Sequence, residues 1–207
     1  DASSSFWDCG NVNYFGKHIM TTQNDETALG QGSSVKMETQ ETMKIIAAGN
    51  IFTGTFERDG MGGILTLGRN FECRPNKLKG YYKYTSAKVS VSKGHLNEGE
   101  DDLCSLYIAL TDEQITVNTN KGIYFDPNSS AVIAYGSISD EESKGADSFK
   151  EFTVDLEYKD LKRIPKYIIV VASSSKYGDY MEGGKGSTMW LDDLELVYPK
   201  SMEEVRK

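Results

Sequence analysis

Short stretches in which apolar and polar residues alternate recur along the chain, and they constrain its fold more than any other feature. Ser34-Val35-Lys36-Met37-Glu38 alternates, and Leu78-Lys79-Gly80-Tyr81-Tyr82-Lys83-Tyr84 is aromatic and nearly alternating. A period of two sends successive side chains to opposite faces of an extended strand. Segments 103–110, 131–138, 149–156, 166–172 and 189–198 continue the series, separated by clusters of Gly, Asn, Asp and Ser. The pattern predicts about ten strands. The connections are too short for repeated crossover helices, which excludes a doubly wound parallel sheet and predicts an all-β, antiparallel two-sheet jelly-roll sandwich.

A chain of 207 residues fits one such unit without a split. We expect a single domain over residues 1–200, with 1–32 as a loop-rich segment wrapping the sandwich and 201–207 as a frayed tail. With 23 basic and 31 acidic residues, the net charge is −8. That balance lacks the concentrated Lys/Arg surface from which phosphate-backbone binding draws its strength, so nucleic acid is not an expected partner. The longest apolar run, Tyr167-Ile168-Ile169-Val170-Val171-Ala172, falls far short of the ~20 residues that span a bilayer. The start at Asp1 carries no basic-then-apolar leader, so any targeting segment is expected to be already removed or to lie outside this sequence.

Most chemistry-bearing motifs fail on inspection. Gly183-Gly184-Lys185-Gly186-Ser187-Thr188 lacks the Lys-Ser/Thr step of a phosphate loop and precedes a strand, so it reads as a flexible turn. His18 and His95 stand in unrelated contexts, which argues against a His-rich zinc site or a His-relayed nucleophile. Cys9, Cys73 and Cys104 form no C-x-x-C pair and allow at most one disulfide; Cys73 and Cys104 read as small apolar fillers in strands. The acidic stretch 97–102 reads as a solvated loop. Asp179, Glu182, Asp192 and Asp193 are candidate members of a carboxylate pair, but separations of about 5–5.5 Å or 6.5–9.5 Å are needed for glycosidase chemistry, and sequence does not measure them.

The aromatic supply is more informative. Twelve Tyr and two Trp offer flat rings with polar tips, which stack on sugar faces while amides and carboxylates take the hydroxyls. Tyr81, Tyr82, Tyr84, Tyr107 and Tyr135 fall inside strands and are expected in the core or on a sheet face. Trp7 sits in the N-terminal loop-rich segment, with Tyr14 and Phe15. Tyr177 and Tyr180 sit in the long polar stretch 173–188, too long for a tight hairpin. A turn there could present both rings on one side with Asp179 between them and Lys176 as a charged donor. The predicted ligand-binding set is therefore Trp7, Lys176, Tyr177, Asp179 and Tyr180. In the last strand, Trp190, Asp192, Leu194 and Leu196 are expected to share a face, with the two leucines in the core and Glu195 opposite.

The runs Ala47-Ala48-Gly49-Asn50-Ile51-Phe52-Thr53-Gly54-Thr55-Phe56, Gly80-Tyr81-Tyr82-Lys83-Tyr84 and Val132-Ile133-Ala134-Tyr135-Gly136, together with 173–180, 186–188 and Leu191-Asp192-Asp193-Leu194-Glu195-Leu196, resemble the putative carbohydrate metabolism domain of bacterial surface proteins. The resemblance spreads from about Trp7 to Tyr198. It implies a galactose-binding-like jelly roll, extracytoplasmic, in envelope or lipid-anchored proteins of Gram-negative gut bacteria. Membrane attachment would come only through a lipid anchor outside this sequence, which resembles the C-terminal domain of a longer chain. The implied function is a non-catalytic glycan-binding module engaged in carbohydrate use beside other glycan-uptake surface proteins. Alternatives are a glycoside hydrolase using a carboxylate pair, or a structural or adhesion spacer. Similar carbohydrate-binding jelly rolls hold a structural calcium with an aspartate at this place in the final strand. That implies Asp192 as the ligand here, or Asp193 if a bulge shifts the register, helped by carbonyls of residues 30–33; the equal alternative is that Asp192 caps backbone amides near the sheet edge and holds no metal.

Overall fold

The computed structural model describes residues 5–11, 20–60 and 62–199 in full, and residues 12, 13, 17 and 18 in backbone only. Tyr14, Phe15, the His18 side chain and the tail 201–207 lie outside the described residues. Within them the chain forms eighteen strands: β1 (Trp7–Asp8), β2 (Val12–Asn13), β3 (Lys17–His18), β4 (Thr21–Asn24), β5 (Ser34–Glu38), β6 (Gln40–Thr42), β7 (Ile45–Ala47), β8 (Asn50–Asp59), β9 (Gly62–Leu67), β10 (Arg69–Asn70), β11 (Lys77–Thr85), β12 (Ser105–Thr111), β13 (Ile115–Asn118), β14 (Val132–Ser137), β15 (Ala146–Asp155), β16 (Glu157–Tyr158), β17 (Tyr167–Ser173) and β18 (Thr188–Val197). The larger sheet runs β13-β9-β8-β17-β12-β14-β16, with β1 on β8 and β10 on β17; the smaller runs β15-β11-β18-β5-β4. All registered pairs of these two curled sheets are antiparallel, and the fold is the expected jelly-roll sandwich.

Alternation decides which residues meet between the sheets. Leu106, Ile108 and Leu110 of β12 and Ile168, Val170 and Ala172 of β17 face Leu78, Tyr82 and Tyr84 of β11, Phe152 and Val154 of β15, and Met189 and Leu191 of β18. The intervening residues of the larger sheet are apolar too: Phe52, Leu65, Leu67, Ala109, Val117 and Ile169 form a second cluster on its outer face, with Phe56, Tyr107, Phe125 and Tyr135 packed over it. A sheet apolar on both faces needs cover on both. Part of that cover comes from loops, and the functional candidates lie there.

Several expectations change. The segment expected to wrap the sandwich as loops supplies strands: Trp7↔Thr53 and Asp8↔Phe52 attach β1 to the larger sheet, and Thr21–Asn24 forms an edge of the smaller one. In β18 the shared face breaks. Lys79 pairs with Glu195 but Tyr81 with Asp192, so Asp193 and Leu194 stand opposite Gly80 alone, with Asp193 at φ 47°. This bulge inverts the phase. Met189 and Leu191 are the buried pair, Trp190 faces outward, and Leu194 and Leu196 are only partly buried against the core. Cys104 is a buried filler, but Cys73 is exposed outside any strand, and all three cysteines are free.

Candidate functional site: a recessed carboxylate on the outer face of the larger sheet

Strand β17 belongs to the larger sheet and β18 to the smaller, so the stretch 174–187 crosses from one layer to the other. Two buried carboxylates pin it. Asp102, without exposed surface, accepts Ser175 Oγ–H at 2.6 Å, Gly184 N–H at 2.8 Å and Leu103 N–H at 2.8 Å. Burial pushes its pKa up, and these donors only partly offset the desolvation. Thr39 Oγ1 lies 2.8 Å from Ser174 Oγ and 2.6 Å from Ser175 Oγ, extending the network to β5's end. The acidic stretch is thus exposed through Asp101, while Asp102 is a buried anchor. The glycine run expected as a flexible turn is tied down by Gly183 N–H to Val91 O and Gly186 N–H to Thr39 O.

Glu182 is the second anchor. Its Oε2 accepts the N–H of Lys93 at 2.6 Å and of His95 at 3.2 Å, and its Oε1 accepts Leu96 N–H at 2.5 Å. Glu182 has no exposed surface. Desolvation acts to raise its pKa, yet the three amides and the His95 ring outweigh it, and the pKa is lowered. Glu182 Oε2 also lies 3.2 Å from His95 Nδ1. The His95 ring stacks on Tyr177 at 4.4 Å and meets Tyr180 at 4.3 Å; Tyr180 in turn meets Tyr124 at 4.0 Å. Next to Tyr124, Phe125 stacks on Tyr107 at 4.9 Å, and Tyr107 lies 6.0 Å from Tyr135. An aromatic belt therefore flanks the outer face.

Between the anchors, Gly178–Tyr180 forms a 3-10 turn. A Cβ on Gly178 would stand 2.4 Å from Ala48 Cβ, so this close seating needs glycine. The turn sets Asp179 at the junction of two cavities. One, about 170 Å³, is walled by Ile46, Ala48, Phe56, Leu65 and Met181. The other, about 60 Å³, is lined by Ser105, Tyr107, Ser173 and Lys176. Asn50, Leu65 and Asp179 line both. The Asp179 residue is open to solvent yet surrounded by protein, as in a cleft, and no described side chain or amide hydrogen-bonds its carboxylate. Desolvation pushes its pKa up, and no neighbouring cation offsets this. A carboxylate raised in pKa and left without a partner in a concave site is a functional signal.

The predicted set is only partly brought together. Tyr177 and Tyr180 do lie on one side of the turn, 6.4 Å apart, but they pack on His95 and Tyr124, while Asp179 turns to the cavities. Lys176 lines the smaller cavity, with Nζ 3.1 Å from Asp140 and 6.0 Å from the Tyr177 ring. Trp7 is elsewhere, half-buried against the core beside Thr21 and Ile51. Asn50, Tyr107, Tyr124 and His95 escaped the sequence reading as site residues: sheet pairing brings the strands of Asn50 and Tyr107 together, and ring contacts on Tyr177 and Tyr180 bring in His95 and Tyr124 from loops.

Asp192 sits under the 25–33 loop with its Oδ2 taken by Ala28 N–H at 2.8 Å and its Oδ1 by Asp193 N–H at 3.0 Å. Asp193 is exposed on the bulge. Each Asp192 oxygen thus already accepts one backbone amide, and the remaining lone pairs are what a cation would use.

The two packed antiparallel sheets define an all-β sandwich domain, with the cleft on the outer face of the larger sheet. Residues 2–197 match the family described as "Putative carbohydrate metabolism domain", and the chain belongs to that family. Among solved structures it is similar to one described as a putative glycoside hydrolase from Bacteroides thetaiotaomicron, at 25% identity and a TM-score of 0.74 over 94% of this chain. The chain spans 63% of that structure's length. A second, described as a putative glycoside hydrolase from Bacteroides vulgatus, is 24% identical with a TM-score of 0.69, covering 86% of this chain and 77% of that one. A search of curated proteins returned no match.

Proposed function

We propose that this chain is a non-catalytic glycan-binding module whose site is the cleft around Asp179. The observation that carries the reading is the unpartnered Asp179 carboxylate, held by a pinned turn between two cavities and beside an aromatic belt. Such a carboxylate accepts sugar hydroxyls, and the rings beside it offer stacking faces. Membership in a carbohydrate-related family supports the same conclusion. The reading places the domain outside the cytoplasm, where polysaccharide is met, among other glycan-uptake surface proteins.

Hydrolysis is the second reading, because one similar structure, 25% identical, is described as a putative glycoside hydrolase, and desolvation raises the Asp179 pKa, the direction a general acid needs. Two-carboxylate hydrolysis needs a partner acid, and among the described residues no other Asp or Glu lines either cavity. Binding therefore has the stronger support. Immobilised polysaccharides should retain the protein with micromolar to millimolar affinity, since each sugar hydrogen bond contributes a net of about 0.5–1.5 kcal/mol. Asp179→Asn should weaken retention without lowering the melting temperature. Turnover of chromogenic glycosides would replace this reading with the hydrolase, and retention by no polysaccharide would replace it with a structural spacer.

A further inference from the structure

We infer that the sugar held at this cleft carries an acetamido group, so that the ligand class is a glycan containing N-acetylhexosamine. The inference rests on the glycan-binding reading and names the substrate class of the same site. Among the described residues the two cavities share two polar ones, Asn50 and Asp179. Asn50 Oδ1 accepts Gly10 N–H at 2.8 Å, which orients the amide and leaves Nδ2 as a donor. Asp179 contributes only acceptors when ionised. Beside this donor and acceptor lies the larger cavity, where Ile46, Ala48, Phe56 and Met181 form an apolar patch, with Gln40, Thr42, Arg58 and Thr119 also in its lining.

An acetamido group fits all three features at once. Its carbonyl takes a donor, its N–H takes an acceptor, and its methyl loses water against an apolar wall. A sugar bearing only hydroxyls leaves that wall wet or buries a hydroxyl without a partner, which is unfavourable. A uronate brings a second negative charge to Asp179, in a chain whose net charge is already −8. Among the described residues the cations of the two cavities are Arg58, exposed, whose Nε donates to Gly60 O at 3.1 Å, and Lys176, whose Nζ lies 3.1 Å from Asp140.

The test is calorimetric titration of the intact domain with matched trisaccharides in gluco and galacto series. Each series compares the N-acetylated, the hydroxyl-only and the free-amine trimer, with trigalacturonate as an acidic arm. We expect the N-acetylated member of at least one series to bind ten-fold or more tightly than its hydroxyl counterpart. Asn50→Asp keeps the acceptor for Gly10 and removes the donor; Asp179→Ala removes both acceptor oxygens. Each should cut that preference below three-fold when titrated well below the variant's own melting temperature. Equal affinity of N-acetylated and hydroxyl trimers, or tightest binding of the amine or the uronate, overturns the inference and leaves glycan binding standing. Binding of no trimer overturns the inference, and if no polysaccharide retains the protein either, the glycan-binding reading falls as well.

Discussion

Glu182→Gln removes one negative charge from beneath the 93–96 turn while keeping the shape of the side chain. In the native protein one oxygen accepts the Lys93 and His95 amides and lies 3.2 Å from His95 Nδ1, and the other accepts the Leu96 amide. Glutamine has one oxygen and one NH2 group, so whichever way it flips, a donor confronts at least one amide N–H. Its better flip keeps the oxygen on Lys93 and His95 and sets NH2 against Leu96. That loses one hydrogen bond to a charged acceptor, about 1.5–3 kcal/mol, and leaves the retained ones without charge assistance, for a total of about 3 kcal/mol. At roughly 2–4 °C per kcal/mol for a chain of this size, the melting temperature at pH 7 should fall by about 6–12 °C. Near-ultraviolet circular dichroism should change with it, because Tyr177 and Tyr180 pack on the His95 ring that Glu182 positions. The sign with pH follows from the lowered Glu182 pKa. Stability from a depressed carboxylate is present above its unfolded-state pKa and is lost as pH falls through the folded one. The gap between wild type and variant should therefore close as pH drops below about 4, where the unfolded glutamate begins to protonate. A variant melting within about 1 °C of wild type at pH 7 would mean a loss of only a fraction of a kcal/mol. That result, or a gap that persists unchanged at pH 3, would refute the reasoning.

The bulge makes a sharper prediction for β18: Leu191→Ala should cost on the order of 2–5 kcal/mol, Leu194→Ala less and Glu195→Ala little, and equal losses in chemical denaturation would reject the inverted phase. Asp192→Ala should cost about 1–3 kcal/mol by stranding the Ala28 and Asp193 amides. A calcium ion held there as well would add about 2.7 kcal/mol at one hundred times its dissociation constant, read as a chelator-sensitive melting temperature in wild type and none in the variant. Asp179, with its pKa raised by desolvation, favours the folded state when protonated and loses that contribution as pH rises through the folded pKa. Asp179→Asn should thus melt higher than wild type at pH 7 and equal to it near pH 3; a lower melting temperature at pH 7 would show that the carboxylate has a partner.

The sequence by itself determined the fold class, because alternation is local: Leu78, Tyr82 and Tyr84 declare one buried face of β11, and Ser34–Glu38 the same for β5. It also marked the 173–188 stretch as the place where long, polar chain meets rigid sheet. The phase of β18 was beyond it, since the bulge that leaves Asp193 and Leu194 opposite Gly80 shows only in how β18 pairs with β11. The difference between Asp101, exposed, and Asp102, fully buried, was likewise invisible, because Ser175 and Gly184 reach Asp102 from more than seventy residues away. The site is non-local in the same way. Asn50 and Tyr107 read as ordinary strand residues, and Asp179 as one carboxylate among many. Only the tertiary structure sets Asn50, Tyr107 and Asp179 around one cleft, because antiparallel pairing joins β8, β17 and β12 side by side and the crossing between sheets carries Asp179 over them.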